Sequence, residues 1–335
     1  MSKITVLLVF GGQSSEHEVS LASAHNVYAA LDEDKYDVFL CYITRKGEWR
    51  LVDGIDDRAL YQVLTPSLGK KQFETADGTP IHSDVMLPIL HGIHGEDGDV
   101  QGLARLMGLP CVGPSLIGAA ITMDKDVTKR LLRDANIPVV DWLTWHTSDP
   151  QPMYDNVVAK LGETVFVKPA NAGSSVGVNK AKNQSEFVAA LKHAAEHDSL
   201  VMIERAITGR EIEIAVLGNE HPKISRPGEI LPGQEFYSYE DKYDVASTAE
   251  VKVPAELDGD IAEHITQYAL KAYRATRGHG MARVDFFVTD EGGIYLNEIN
   301  SIPGFTNISM YPKMWRAEGL AYPLLLDRLI ALALE

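Results

Sequence analysis

Two neighbouring runs decide how this chain is read: Arg283-Val-Asp285-Phe-Phe and Leu296-Asn-Glu298-Ile-Asn300-Ser-Ile-Pro-Gly304. Glu298 and Asn300 stand two apart on an apparent strand over 294–298 and its continuation, so alternation turns both to one face. Asp285 belongs to the preceding strand, expected over 284–288, and joins them across a hairpin. Two carboxylates and an amide oxygen are hard ligands, suited to Mg2+ shared with nucleotide phosphates. Arg283 alternates with Asp285 on the same face. A fixed cation beside a metal cluster favours an anionic reacting group, which arginine holds through a bidentate contact. An exposed polar face on an edge hairpin, with Arg283 paired to Asp285, accounts for the same residues.

Outward from this hairpin, strand-like and helical patterns alternate along most of the chain. At the N-terminal end, strands are predicted over 4–10, 37–43 and 85–90, with a helix over 20–31. This βαβ rhythm implies an α/β fold with a mostly parallel, Rossmann-like sheet. A Gly- and Pro-rich stretch over 108–118 is followed by a predicted helix over 122–135. A second block follows, with strands over 164–168 and 200–204, a glycine-serine turn over 173–177 and a helix over 185–197. Beyond residue 211 the pattern is strand-rich, interrupted by one long helix over 259–277. The stretch 228–248 carries Tyr, Glu, Asp and Gly with little periodicity, and a loop of that length suggests a binding lid. Three domains are therefore expected: 1–120, 121–205 and 206–335.

Composition narrows the function classes. The 335 residues carry 31 Lys and Arg against 47 Asp and Glu, 31 − 47 = −16. So acidic a surface argues against partners such as nucleic acid or an anionic membrane, whose recognition rests on basic residues. It leaves room for a local basic pocket that holds a small anion. Cys41 and Cys111 lie among apolar neighbours without CxxC spacing, which excludes a disulfide framework and a cysteine zinc site. No apolar run approaches the roughly 18 residues of a membrane helix. The apolar run over 4–10 lacks a small-residue cleavage site and reads as a buried first strand, so a cytoplasmic location is expected.

Three further constellations carry chemistry. P-loop, dinucleotide-fold, zincin and nucleophile-elbow motifs are absent from the sequence. Instead, Lys168 ends a strand and precedes Pro-Ala-Asn-Ala-Gly173-Ser174-Ser175-Val-Gly177, a small-residue loop whose N–H groups could approach phosphate. An ordinary hairpin turn is the alternative. His91-Gly-Ile-His94-Gly-Glu96-Asp97-Gly98-Asp-Val-Gln101-Gly102 follows a parallel strand, where ligands bind in open α/β sheets. Its HxxH spacing is a weak zinc signal. Gly11-Gly12-Gln13-Ser14-Ser15-Glu16-His17-Glu18 follows the first strand; its acids suggest an ammonium ligand, while Ser14 or Ser15 with Glu18 could instead cap a helix.

In this order and spacing, the four runs resemble the D-alanine–D-alanine ligases of the ATP-grasp superfamily, from Gly11 to Gly304. Met123-Asp-Lys125, the run from Ile203-Glu204 to Glu211 and the run Tyr237-Ser-Tyr-Glu-Asp-Lys242-Tyr243 agree with the family too. The resemblance implies an ATP-grasp fold and a ligase that joins two D-alanines for peptidoglycan precursor synthesis. One ATP becomes ADP and phosphate through an acyl phosphate. It puts Lys125, Lys168, Ser175 and Lys242 on the ATP phosphates, Glu204 on the adenine amino group and Glu211 on the ribose. It puts Asp285, Glu298 and Asn300 around two Mg2+ (or Mn2+) ions. Glu16 would receive the ammonium of the first D-alanine, with His91 orienting it; Arg283 and the Gly304 N–H would form the oxyanion site. Ser309 and Lys242 would receive the second carboxylate, and Glu16, Ser174 and Tyr243 would form a hydrogen-bonded triad. Tyr243 resembles the dipeptide-forming members, as against those making D-alanyl-D-lactate or D-alanyl-D-serine. A homodimer through the first domain is implied as well. Arg205 and the wording Arg277-Gly-His279-Gly depart from the family's usual pattern. A non-catalytic relative would be expected to lose a metal ligand or the arginine, and all are present here.

Overall fold

The computed structural model describes residues 2–173, 176–231 and 250–335. Its strands form three sheets. The first begins with β1 (Ile4–Gly11), α1 (His17–Ala30) and β2 (Tyr36–Ile43), and continues through β3 (Trp49–Val52), β4 (Tyr61–Ser67), β5 (Gln72–Thr75), β6 (Pro80–His82) and β7 (Val85–Ile89). Their order is β6-β5-β4-β3-β2-β1-β7. β1 lies between β2 and β7 and pairs with both in parallel, as the βαβ rhythm predicts. From β2 to β6 the pairing is antiparallel, a meander over 49–82 that the expectation of a mostly parallel sheet omits. Its strands are short and half-exposed, so their hydrophobic pattern is faint.

β1 is apolar at every position from Val6 to Phe10 because both of its faces are covered. Leu7 and Val9 pack with Met86 and with Val100, Ala104 and Met107 of α2 (Asp99–Met107). Val6, Leu8 and Phe10 pack on the other side. α1 starts at His17, three residues earlier than expected, and Glu16 occupies its N-cap without a capping side-chain bond. Ser14 and Ser15 therefore do not cap it. The Ser14 hydroxyl donates instead to the His91 carbonyl at 2.6 Å.

The helix expected over 122–135 is two helices, α3 (Leu116–Met123) and α4 (Lys125–Asp134). Asp124 separates them in extended conformation, and its carboxylate accepts from the Val127 N–H. The second sheet comprises β8 (Trp142–His146), β9 (Val165–Pro169), β10 (Asn179–Ala181) and β11 (Leu200–Arg205), in the order β10-β9-β11-β8. α5 (Tyr154–Leu161) and α6 (Gln184–Ala195) complete its own apolar core around Phe187 and Leu191. β9 and β10 are antiparallel neighbours, so the Lys168 loop does link a hairpin.

The third sheet contains β12 (Arg210–Leu217), β13 (Lys223–Ile224), β14 (Gly228–Leu231), β15 (Glu250–Lys252), β16 (Met281–Val288) and β17 (Ile294–Asn300). β14 makes the start of the expected lid stretch a strand. α7 (Gly259–Ala275) covers one face through Ile265, Ala269 and Tyr273. α8 (Met310–Ala317) and α9 (Tyr322–Leu334) cover the other. Trp315, Leu325, Leu326 and Leu329 reach past Ala215 and Leu217 to Val6, Leu8, Phe10 and Leu87, so the first and third sheets share one core. Among the described residues, no helix is long and apolar enough to cross a membrane.

Candidate active site

The three sheets meet at a cleft of about 1010 Å3, lined from all three sides. Its floor is the hairpin of β16 and β17. Asp285 stands opposite Glu298 and Arg283 opposite Asn300, so the four polar side chains share one face, as the sequence spacing predicts. Plain alternation keeps Val284, Phe286 and Val288 in the core behind them, and a bulge that skips Asn297 of β17 turns Glu298 to the face of Asp285 while Leu296 and Ile299 both stay buried. The Arg283 guanidinium donates to both Asp285 oxygens, at 2.8 and 2.6 Å, and its Nε also lies 3.0 Å from Glu213 Oε2. Burial opposes its charge, but Asp285 and Glu213 overcome that and hold the guanidinium fully protonated. Asn300 Nδ2 donates to Asp285 at 2.9 Å. Two carboxylates in direct register with an amide beside them form a donor set that fits Mg2+, which favours oxygen ligands.

The opposite wall is basic at its base. Lys168, on β9, reaches Glu204 Oε2 on β11 at 2.6 Å. Lys129, on α4, reaches Glu204 Oε1 at 2.9 Å. Burial would raise the Glu204 carboxyl, but the two ammonium groups outweigh it and hold it down at about 2. Lys125 lies one helical turn before Lys129 and donates to the Ala172 carbonyl in the glycine-serine loop. Desolvation lowers the Lys125 pKa, while Glu298 across the cleft works the other way. Glu211 lines the same cavity from β12.

The first-sheet loops form the third side. Glu16 is buried, and its N–H donates to Ser14 Oγ at 3.1 Å. A Cβ on Gly92 would come within 2.8 Å of Glu16 Oε2, and one on Gly173 within 2.9 Å. The Glu16 carboxylate is thus clasped between the His91 loop and the glycine-serine loop, which only residues without a Cβ permit. His91 is buried beside it, with its Nε2 3.3 Å from Ser23 Oγ. Burial lowers its pKa, partly offset by the charge of Glu16. Glu96 completes this wall; its carboxylate accepts from the Gly92 N–H at 2.7 Å. Desolvation first, and the nearby Glu16 second, push the Glu96 carboxyl up to about 8.

At the far end, a Cβ on Gly304 would come within 2.7 Å of Ser309 Oγ, so the two are in contact. The Ser309 hydroxyl also accepts from the Thr306 N–H at 3.0 Å. The structure therefore brings Glu16, His91, Lys125, Lys168, Glu204, Glu211, Arg283, Asp285, Glu298, Asn300, Gly304 and Ser309 to one cavity. Ser174, Ser175, Lys242 and Tyr243 lie outside the described residues. His279 does not enter the cavity lining; it sits in the turn before β16, 3.2 Å from the Gly113 carbonyl. Arg205 pairs with Asp141 at 3.5 Å and lies over the Tyr295 ring.

Sequence reasoning passed over Glu213, Glu96 and Lys129. The alternation Glu211-Ile-Glu213 on a strand marks the first, and the four-residue step from Lys125 marks the last. Nothing in the local sequence separates Glu96 from its acidic neighbours.

Comparison with known proteins agrees with this architecture. Residues 5–114 match the family model described as D-ala D-ala ligase N-terminus, and residues 131–331 that described as D-ala D-ala ligase C-terminus. A D-alanine--D-alanine ligase of Sodalis glossinidius (strain morsitans) is 47% identical, the alignment covering 99% of this chain and 95% of the relative. The solved D-alanine-D-alanine ligase from Coxiella burnetii superposes with a TM-score of 0.90 at 39% identity, covering 100% of this chain and 94% of that one. VanG D-Ala:D-Ser ligase from Enterococcus faecalis gives the same TM-score at 35% identity, covering 99% and 100% respectively. Fold and cleft are those of an ATP-grasp enzyme. Within that class, the chain belongs to the D-alanine–D-alanine ligase family.

Proposed function

We propose that this chain joins two D-alanines to D-alanyl-D-alanine at the cost of one ATP, for peptidoglycan precursor synthesis. One observation carries the reading: a single cavity holds a lysine wall suited to phosphate, an oxygen-donor set suited to Mg2+ and a buried carboxylate suited to an ammonium group. The full-length likeness to D-alanine–D-alanine ligases at 45–47% identity supports D-alanine over D-serine or D-lactate as acceptor.

In this reading Lys125 and Lys168 bind the ATP phosphates, with Ser175 and Lys242. Glu204 and Glu211 hold adenine and ribose. Asp285, Glu298 and Asn300 hold two Mg2+ (or Mn2+) ions, which neutralise phosphate charge when bound. Phosphoryl transfer depends mainly on positioning and charge neutralisation, so these groups suffice without a protein nucleophile. Glu16, oriented through His91 and joined to Ser174 and Tyr243, holds the ammonium of the first D-alanine. That substrate's carboxylate attacks the γ-phosphate and becomes an acyl phosphate. The amine of the second D-alanine, whose carboxylate Ser309 and Lys242 receive, then attacks the acyl carbon. Arg283 and the Gly304 N–H receive the charge that develops on the carbonyl oxygen. Phosphate leaves as the peptide bond forms. An acyl phosphate hydrolyses in water, so this reading keeps the lid expected over 228–248, of which 232–248 lie outside the described residues.

The chain on this reading divides into domains over 1–120, 121–205 and 206–335; each of the three sheets falls within one of them. The enzyme would work in the cytoplasm, where ATP is available, as a homodimer. Leu60, Tyr61, Val63 and Leu68, exposed on and beside β4, support self-association through the first sheet. ADP release with ATP, Mg2+ and D-alanine alone tests the activity, beside matched reactions with L-alanine and with added D-serine or D-lactate. The expected product by mass spectrometry is D-alanyl-D-alanine. Turnover that requires D-serine or D-lactate would assign a different acceptor, and no ADP in any mixture from folded protein would remove the ligase reading.

A further inference from the structure

Among the described residues, Lys129 is the most deeply buried cation of the cleft's basic wall, at 1% exposure, yet it does not line the cavity. Its ammonium is held on three sides: by Glu204 Oε1 at 2.9 Å, by the Val140 carbonyl at 3.1 Å and by the Trp142 ring at 5.6 Å. Trp142 is in turn fixed to the same helix, its Nε1 donating to Asp126 at 2.7 Å. Burial works against the charge on Lys129, and Glu204 sustains it. A buried cation this firmly held is costly to keep unless its partner requires it.

Glu204 also binds Lys168, which does line the cavity. One carboxylate facing one lysine would form a closed, neutral pair, and a phosphate would have to break it. One carboxylate shared by two lysines leaves a net positive charge, and Lys168 is the member that faces the cavity. We propose that Lys129 is a positioning residue for nucleotide: it satisfies Glu204 from behind, which leaves Lys168 available to phosphate and fixes the carboxylate that faces the base. This rests on the reading of Lys168 and Glu204 as nucleotide ligands given above.

The test is ATP affinity with Mg2+ by calorimetry, together with KM for ATP and for D-alanine, on K129M, K129R, E204Q, K129M/E204Q and K168M. K129M is expected to weaken ATP about tenfold or more, the equivalent of one charge-assisted hydrogen bond. KM for D-alanine at saturating ATP should move less than about twofold, which a general loss of fold would not spare. K129R should recover most of the affinity. In the E204Q background, where no carboxylate captures Lys168, adding K129M should cost little. Because that double variant removes the carboxylate together with its rear cation and leaves Lys168 an amide oxygen as acceptor, it decides the matter even if K129M alone does not fold. Unchanged ATP affinity in K129M, or a tenfold further loss on going from E204Q to the double variant, would overturn the proposal. K168M separates it from the underlying reading: if K168M binds ATP normally, Lys168 is not a phosphate ligand, whatever Lys129 does.

Discussion

Replacing Arg283 with alanine is expected to separate a structural from a catalytic contribution. The substitution removes two hydrogen bonds to Asp285, at 2.8 and 2.6 Å, and a 3.0 Å ion pair with Glu213. Breaking one side of a buried ion pair costs about 3–5 kcal/mol, because a charge is left without its partner. Asp285 keeps the Asn300 amide at 2.9 Å, which points to the lower end of that range. At about 2–4 °C per kcal/mol, a loss of roughly 3 kcal/mol lowers Tm by roughly 6–12 °C. Catalysis should suffer separately, by about 10²–10³ in kcat, as for the loss of one oxyanion donor. The assay is coupled ADP release at a temperature well below the melting transition of the variant. R283K restores charge without the planar fork, so it should recover more of Tm than of kcat. R283M/E213Q removes the Glu213 charge along with the guanidinium but keeps that of Asp285, so it should recover part of the lost stability while kcat stays low. A folded R283A enzyme with near-normal kcat would exclude Arg283 from the reaction, and an unchanged Tm would refute the buried ion-pair account.

Other expectations follow from the same geometry. Glu96 is raised from its ordinary value of 4.5 to about 8. The folded state therefore holds a proton that the unfolded state releases, and stability should fall as pH rises between about 4.5 and 8. In ligand-free E96Q that part of the decline should vanish from a Tm-against-pH series, and an unaltered slope would assign it elsewhere. Gly173→Ala puts a Cβ 2.9 Å from Glu16 Oε2. KM for the first D-alanine should rise several-fold with KM for ATP little changed; an equal rise in both would argue against a specific effect on Glu16. EDTA should abolish product formation and Mg2+ or Mn2+ restore it, with D285N requiring more metal. Restoration of D285N at wild-type metal concentrations would remove Asp285 from the ligand set.

The polar face of the cleft-floor hairpin was legible in the two-residue spacing within each strand, although the bulge that sets Glu298 opposite Asp285 leaves no mark in the sequence. Asp285, Glu298 and Asn300 could be put on one face before any coordinates. So could the parallel β2-β1-β7 core, where burial on both faces writes an unbroken apolar run. The meander over 49–82 was not, because strands exposed on one side with Arg50, Tyr61 and Gln72 among them lack a clean pattern. The break at Asp124 was hidden because helical letters run through it, and only its cap geometry ends one helix and starts the next. Lys129 and Glu213 were missed for another reason. Their partners come from distant strands, and no local pattern shows that a buried charge will meet Glu204 or Arg283.

The core shared by the first and third sheets also bears on how the protein is made. Phe10 and Leu8 cover themselves with Trp315, Leu325 and Leu326, some three hundred positions later in the chain. At 5–20 residues per second on the ribosome, the first sheet waits roughly 15–60 s for that cover. Throughout that interval the Leu8 and Phe10 face of β1 is covered only in part, by Ala24, Val27 and Leu31 of α1. The second sheet, whose core is local, can finish folding during the wait. Chaperone dependence should therefore concentrate on the earliest segment synthesised, and destabilising changes in α9 should show themselves as aggregation of the nascent first sheet.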